Sequence, residues 1–197
     1  RKMFIYKSTP STIEAARVAA AAFTKTYSQE VYEDVAQHLA EGSVYTIFDG
    51  VSLAGFAIFN MADHETLYLA GIILRPDVQG QGVAAKVIGM AREETGAKKL
   101  MLRTQSLRMW SVGNKLCHFW YPNPKGRLGY YDHASWIGAL GSPPFVSYED
   151  KSKIIRAFYG GPLYGQKPTH RNRPLQKWWD SICDFDRGDA VVCYGEF

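Results

Sequence analysis

The sequence predicts an α/β domain whose sheet mixes strand directions. Three observations predict it. Apolar periodicity alternates between strand and helix spacing in the order β-α-α-β-β-β-α-β-α over the first 117 residues. An Asp49-Gly50 pair joins two β-type runs. A glycine-rich turn follows a proline-terminated strand and opens an amphipathic helix.

Each element has its own signal. Met3 to Lys7 is a short apolar run and reads as the first strand. Ser8-Thr9-Pro10-Ser11 breaks it, and Ser11 with Glu14 three residues later marks a helix start. The alanine-rich residues 12–24 continue that helix. A second helix runs from about Tyr27 to Ala40, with Val31, Val35 and Leu39 on one face and Glu41-Gly42 closing it. Val44 to Phe48 and Ser52 to Phe59 form the hairpin arms. Glu65 to Leu74 is a strand that Arg75-Pro76-Asp77 ends, because proline cannot continue a ladder. Residues 81–96 read as a helix carrying Val83, Ala84, Val87, Ile88 and Ala91, stopped by Gly96. Lys99 to Thr104 is a strand, and residues 107–117 a short helix.

After Cys117 the character changes. Residues 118–175 hold seven of the nine prolines, with many glycines and tyrosines, so loops dominate. Phe119, Trp120, Trp136 and Phe145 give this stretch enough apolar surface to be ordered. Helices are expected at 148–159 and 175–184, and a last strand at Ala190 to Phe197. The organisation expected is one domain in two parts, residues 1–117 and residues 118–197, the second holding a loop-rich insertion and the final strand.

Composition narrows the function classes. A chain of 197 residues can bury a core without disulfides. Its net charge of +4 does not by itself indicate nucleic acid, but residues 125–177 carry nine Lys or Arg against three acids. Cys117, Cys183 and Cys193 are odd in number and lack a CxxC pair, which argues against a disulfide framework and a zinc site. The five histidines never fall at ligand spacing, so no metal is expected. The cysteines fit a reducing compartment, and a cytoplasmic location is expected. No apolar run has membrane-spanning length.

The stretch that carries chemistry is Leu74-Arg-Pro-Asp-Val-Gln-Gly-Gln-Gly-Val-Ala84. A helix N-terminus presents unpaired N–H groups and the positive end of its dipole. Glycines let a phosphate approach the backbone closely. The turn lacks the Gly-Lys-Ser/Thr ending of a P-loop and is not the dinucleotide GxGxxG.

Gln79-x-x-Gly82-x-Ala84 resembles the coenzyme A motif of the Gcn5-related N-acyltransferases (GNAT), Gln/Arg-x-x-Gly-x-Gly/Ala. Leu74-Arg-Pro-Asp77 resembles the strand ending that precedes it, and the element order from Met3 to Cys117 is similar to the family's shared half. The resemblance covers about 115 residues. It implies a mixed, mainly antiparallel central sheet flanked by helices, with acetyl-CoA or another acyl-CoA as co-substrate. The backbone of Gln79, Gly80, Gln81, Gly82, Val83 and Ala84 would hold the pyrophosphate. Ile72, Ile73 and Leu74 would pair with the pantetheine arm like an added strand. Gln105 stands where relatives often have an Asn. Among Lys86, Arg92, Lys98 and Lys99 a partner for the 3′-phosphate is expected. The reaction implied is direct attack of an amine, from a small molecule or a protein, on the thioester.

The sequence departs from that pattern in two places. Ala70 and Gly71 stand where relatives carry a glutamate base, leaving His64 and Glu65 at the strand's start as the nearest substitutes. Trp110 stands near the usual tyrosine acid, leaving Tyr121 as a later candidate. Tyr130, Tyr131 and His133 are expected to line the acceptor side, where positive charge favours an acceptor bearing a carboxylate or phosphate. Two alternatives stand beside the enzyme: a coenzyme A-binding module without turnover, and a nucleic-acid-associated protein gripping through the basic segment 167–177. Neither a membrane nor nucleic acid is the expected partner, and a homodimer is compatible with the sequence.

Overall fold

A computed structural model of the chain describes residues 2–125, 148–149 and 154–197. Two compact units emerge: Arg1–Met61 with Leu67–Ala97, and Ala62–Thr66 with Lys98–Phe197.

In the first unit four strands follow one another antiparallel: β1 (Met3–Lys7), β2 (Ser43–Asp49), β3 (Ser52–Met61) and β4 (Thr66–Leu74). The expected hairpin is present: Asp49 pairs with Ser52, and Gly50 takes the positive φ of +61° that a two-residue turn requires. Helices α1 (Thr12–Ala22) and α2 (Gln29–Leu39) begin at Ser11 and Ser28, whose hydroxyls accept from the amides of Glu14 and Val31. Their alanine and valine faces cover one side of the sheet, where Ala15, Ala16, Val18, Ala19, Val35 and Leu39 pack with Val44, Leu53, Phe56 and Ile58. Ala15, Ala16, Ala19 and Ala20 of α1 are themselves buried, so this helix lies close against the strands.

The second layer of that unit is α3 (Val83–Thr95). Val83, Ala84, Val87, Ile88 and Ala91 are buried at the spacing of one helical face, and Gly96 ends the helix in the left-handed region at φ +68°. A compact cluster of Ile47, Ala54, Val78 and Val83 holds the start of α3.

In the second unit β9 (Ala190–Glu196) is the hub. It pairs antiparallel with β5 (Lys99–Thr104), with β6 (Phe119–Tyr121) and with β8 (Ile154–Ile155), and β8 pairs with β7 (Tyr148–Glu149). Helix α4 (Leu107–Leu116) precedes β6, and α5 (Arg173–Ile182) precedes β9. Every strand pair named above is antiparallel. The mainly antiparallel sheet flanked by helices that the sequence predicts is therefore what the structure has.

One expected element is overturned. The helix expected at 148–159 is replaced, among the described residues, by the strands β7 and β8. Ile154 and Ile155 are β-branched neighbours that bury themselves by pairing with Val191 and Ala190, and that tertiary pairing outweighs local helix preference. Strand β6 was not expected either. The helix expected at 175–184 begins two residues earlier, where Asn172 caps it by accepting from the Leu175 amide at 3.0 Å. No helix among the described residues is long and apolar enough to cross a membrane.

Candidate functional site

The glycine turn between β4 and α3 is built from inside outward. Strand β4 ends against β3, with Leu74 opposite Gly55, and the Arg75 amide donates to Ala54 O at 2.8 Å. Pro76–Val78 then form one turn of 3₁₀ helix, and the fully buried Val78 side chain pins that turn into the core. Arg75 braces it from outside. Its guanidinium reaches Asp77 at 2.5 and 3.0 Å, Asp49 at 3.1 Å and Leu53 O at 3.3 Å.

Two glutamines complete the brace. Gln79 Nε2 donates to Leu74 O and Gln81 Nε2 donates to Asp77 O, both at 2.9 Å. Both side chains are thus engaged by the chain's own carbonyls, and what the turn offers outward is backbone. Gly80 and Gly82 hold φ at +74° and +76°, and no other atom stands within 4 Å of where a Cβ would be. Gly82 is the residue before α3, which has no side-chain cap and no acid in its first turn. The first helical bond runs from the Lys86 amide to Gly82 O at 3.2 Å, so the amides of Gly82 to Ala85 precede the helical ladder. Exposed glycines, room at both Cβ positions and an uncapped helix start together fit a diphosphate, whose charge the helix dipole favours.

Strand β4 shows a second feature. Ile58 lies opposite Gly71 but Phe59 opposite Leu69, so Ala70 is an extra residue that bulges the strand. Thr66 to Leu69 are buried, whereas Ala70 to Leu74 are each half-buried. The described residues therefore join the turn Gln79–Ala84 directly to a half-open strand end at Ile72–Leu74.

The sequence profile of the Acetyltransferase (GNAT) family matches residues 13–113, about half of the chain, and this span includes the bulged strand, the braced turn and α3. This chain belongs to the GNAT family. Solved structures similar in fold include a Bacillus subtilis acetyltransferase in complex with CoA (16% identity, 100% of this chain and 99% of that one, TM-score 0.55). They also include a GNAT family acetyltransferase from Elizabethkingia anophelis with acetyl-CoA bound (16%, 99% and 98%, TM-score 0.53). A third is the ribosomal-protein-S18-alanine N-acetyltransferase of Escherichia coli (16%, 99% and 94%, TM-score 0.52). At such identities the likeness is one of fold. A search of curated proteins found no match.

Among the other candidates, His64, Glu65, Gln105 and Tyr121 of this GNAT chain belong to the second unit. His64 and Glu65 precede the first residue of β4, whereas the glycine turn follows its last. Asp63 organises them: its carboxylate accepts from the amides of Glu65 and Thr66, each at 2.8 Å, and from the Thr66 hydroxyl at 3.0 Å. Glu65 is ion-paired with Lys98 at 2.8 Å and with Lys99 at 3.6 Å. The hydrogen bond from Lys98, and its charge, hold the Glu65 carboxyl below the ordinary range. His64 is exposed.

Tyr121 is buried at the end of β6 with its ring 4.8 Å from that of Phe119. Gln105 is also buried. Its Oε1 accepts from the Leu163 amide at 2.9 Å, and its Nε2 reaches Phe185 O at 3.4 Å. Trp179 Nε1 donates to its carbonyl at 3.1 Å, so Gln105 knits three segments to the end of β5. Tyr130, Tyr131 and His133 lie outside the described residues. In the basic segment, Lys167 pairs with Asp180 at 2.7 Å, and the Thr169 carbonyl accepts from Arg108 Nε at 3.1 Å.

Sequence reasoning missed the bracing role of Arg75 and its partner Asp49. Arg-Pro-Asp advertised the local pair with Asp77, but Asp49 is 26 positions away in the chain, and only the β2–β3–β4 register brings it near. It also missed a cluster of Lys7, Tyr45 and Glu94, drawn from three separate elements.

Proposed function

We propose that this chain is an N-acyltransferase that moves an acetyl or similar acyl group from coenzyme A to an amine by direct attack. The observation that carries this reading is the braced, uncapped glycine turn at the start of α3, continuous with a half-buried bulged strand. The amides of Gln79 to Ala84 hold the pyrophosphate, and the backbone of Ile72 to Leu74 aligns the pantetheine arm as an added strand. The thioester supplies an activated carbonyl. A backbone N–H of β4 beside the bulge stabilises the charge that develops on its oxygen.

Proton transfer falls to side chains. Glu65 is a weak base, because Lys98 already holds its carboxylate charged. We assign the acceptance of the amine proton, through water, to His64 instead. Tyr121 is the candidate donor to the leaving thiolate. Tyr130, Tyr131 and His133 are proposed to line the acceptor side, and a cytoplasmic setting accords with three buried cysteines that form no disulfide.

A second reading, coenzyme A binding without turnover, is favoured by one observation: no carboxylate stands at Ala70 or Gly71 on the bulge. Calorimetry with acetyl-CoA followed by a thiol-release assay over a panel of amines separates the two. Binding with amine-dependent release supports the transferase. Binding with no release from any amine supports the module, and no binding at all overturns both.

A further inference from the structure

The first unit has a second concave site at the far end of α3. A cleft of about 220 Å³ is bounded by Tyr45 of β2, Phe59 of β3, Leu67 of β4, and Ala91, Glu94 and Thr95 on the last turns of α3. Its helix residues lie about 14–20 Å along the axis from Gly82, at about 1.5 Å per residue, so it is separate from the glycine turn. Its floor is apolar, and the rings of Tyr45 and Phe59 meet edge to face there at 5.5 Å.

Its rim carries one carboxylate. Glu94 accepts the Tyr45 hydroxyl on Oε2 and the Lys7 ammonium on Oε1. The negative end of the α3 dipole points to the same place and reinforces the preference for a cation. The Tyr45 hydroxyl is kept protonated, chiefly by burial and then by its bond to Glu94, so Oε2 is permanently served. Oε1 is different. Lys7 reaches it from the end of the edge strand β1, and both side chains of that pair are well exposed, 52% and 40%. An ion pair so open to water is worth a few-fold in equilibrium terms at most, and another ammonium can replace it at little cost.

We propose that this cleft binds a small primary ammonium compound with a single aryl or short alkyl body. Its ammonium takes the place of Lys7 on Glu94, and its body lies on Phe59 and Leu67. An anionic ligand would face both Glu94 and the helix end. The volume is below the roughly 300–1,000 Å³ of pockets for drug-sized ligands, which limits the occupant to about one ring. Lys7 then acts as a built-in competitor that holds the site closed until the amine is abundant.

The test uses the full chain, isotopically labelled for amide NMR and titrated with phenethylamine, with phenethyl alcohol as the neutral isostere. Saturable shifts concentrated at residues 59–61 and 91–95 are expected, with the amine saturating at a several-fold lower concentration than the alcohol. Lys7→Met should tighten binding about two- to fivefold by removing the competitor. Glu94→Gln should weaken it several-fold while acetyl-CoA affinity stays unchanged. An absence of saturable shifts at those residues, an equal response to the alcohol, or weaker binding by Lys7→Met would each overturn the proposal. A gain in affinity cannot come from misfolding, so the Lys7 variant decides the matter even if Glu94→Gln is unstable.

Discussion

Gly82 holds φ at +76° with open space where a side chain would begin. Backbone strain from a non-glycine residue there is about 1–2 kcal/mol, less for Asp than for bulkier side chains. Gly82→Asp should therefore leave the chain folded yet lower acetyl-CoA affinity by about tenfold or more, since a carboxylate would face the diphosphate. Calorimetry beside a thermal melt checks both halves, and unchanged affinity would displace the site. His64 and Glu65 divide in the same way. His64→Gln should lower kcat/KM about ten- to a hundredfold, while Glu65→Gln leaves it nearly unchanged. The opposite pattern would assign the base to Glu65. Asp189 is a buried carboxylate of another kind, with 0% exposure. Burial pushes its pKa up, but bonds from Arg187 and from the amides of Ala157 and Asp184 outweigh that and hold it below the ordinary value. A lowered folded pKa means the stabilisation is full above about pH 4 and is lost as pH falls through the folded value. Asp189→Asn should cost about 2–3 kcal/mol at neutral pH, with the gap to wild type narrowing in acid denaturation series. A gap that does not change with pH would refute the linkage.

At the scale of elements, contacts between neighbours override local preference. Gly113 lies inside α4, where alanine would ordinarily be favoured by about 1 kcal/mol. A Cβ there would overlap the Trp120 indole on β6, because helix and strand meet at that glycine. Gly113→Ala should therefore destabilise, by about 1–3 kcal/mol from overpacking less the propensity gain, and a denaturation midpoint that does not fall would refute that contact. The strands β7 and β8 teach the same lesson. Residues 148–159 carry a pattern that a helix could satisfy, but Ile154 and Ile155 complete a ladder on β9 that comes from the end of the chain. The glycine turn is the contrary case. Its strand, proline, glycines and helix are contiguous, so its form was legible from local sequence, down to Gln79 and Gly82.

Over the whole molecule, the three cysteines report on integrity. Cys117, Cys183 and Cys193 are all buried thiols outside any disulfide. Burial, then the charge of Asp189, pushes the Cys183 thiol up to about 12, and Cys193 is raised well above its ordinary value by burial. Thiolates are the reactive form, so the native chain should resist thiol reagents at neutral pH and react at all three positions only when unfolded. Rapid labelling of the native protein would contradict the packing around β9. The sequence by itself determined the strand and helix order to Cys117, the hairpin at Asp49-Gly50, the glycine turn that opens α3 and the family it resembles. These features repeat over short spans, where periodicity, capping and glycine placement act between residues close in the chain. Only the tertiary structure decided that Ala70 bulges β4, that Arg75 is held by Asp49, that Glu65 is occupied by Lys98 and Lys99, and that Lys7, Tyr45 and Glu94 meet. Each of these depends on strand register or on packing between residues tens of positions apart, and nothing in a local window encodes which distant partner the folded chain will supply.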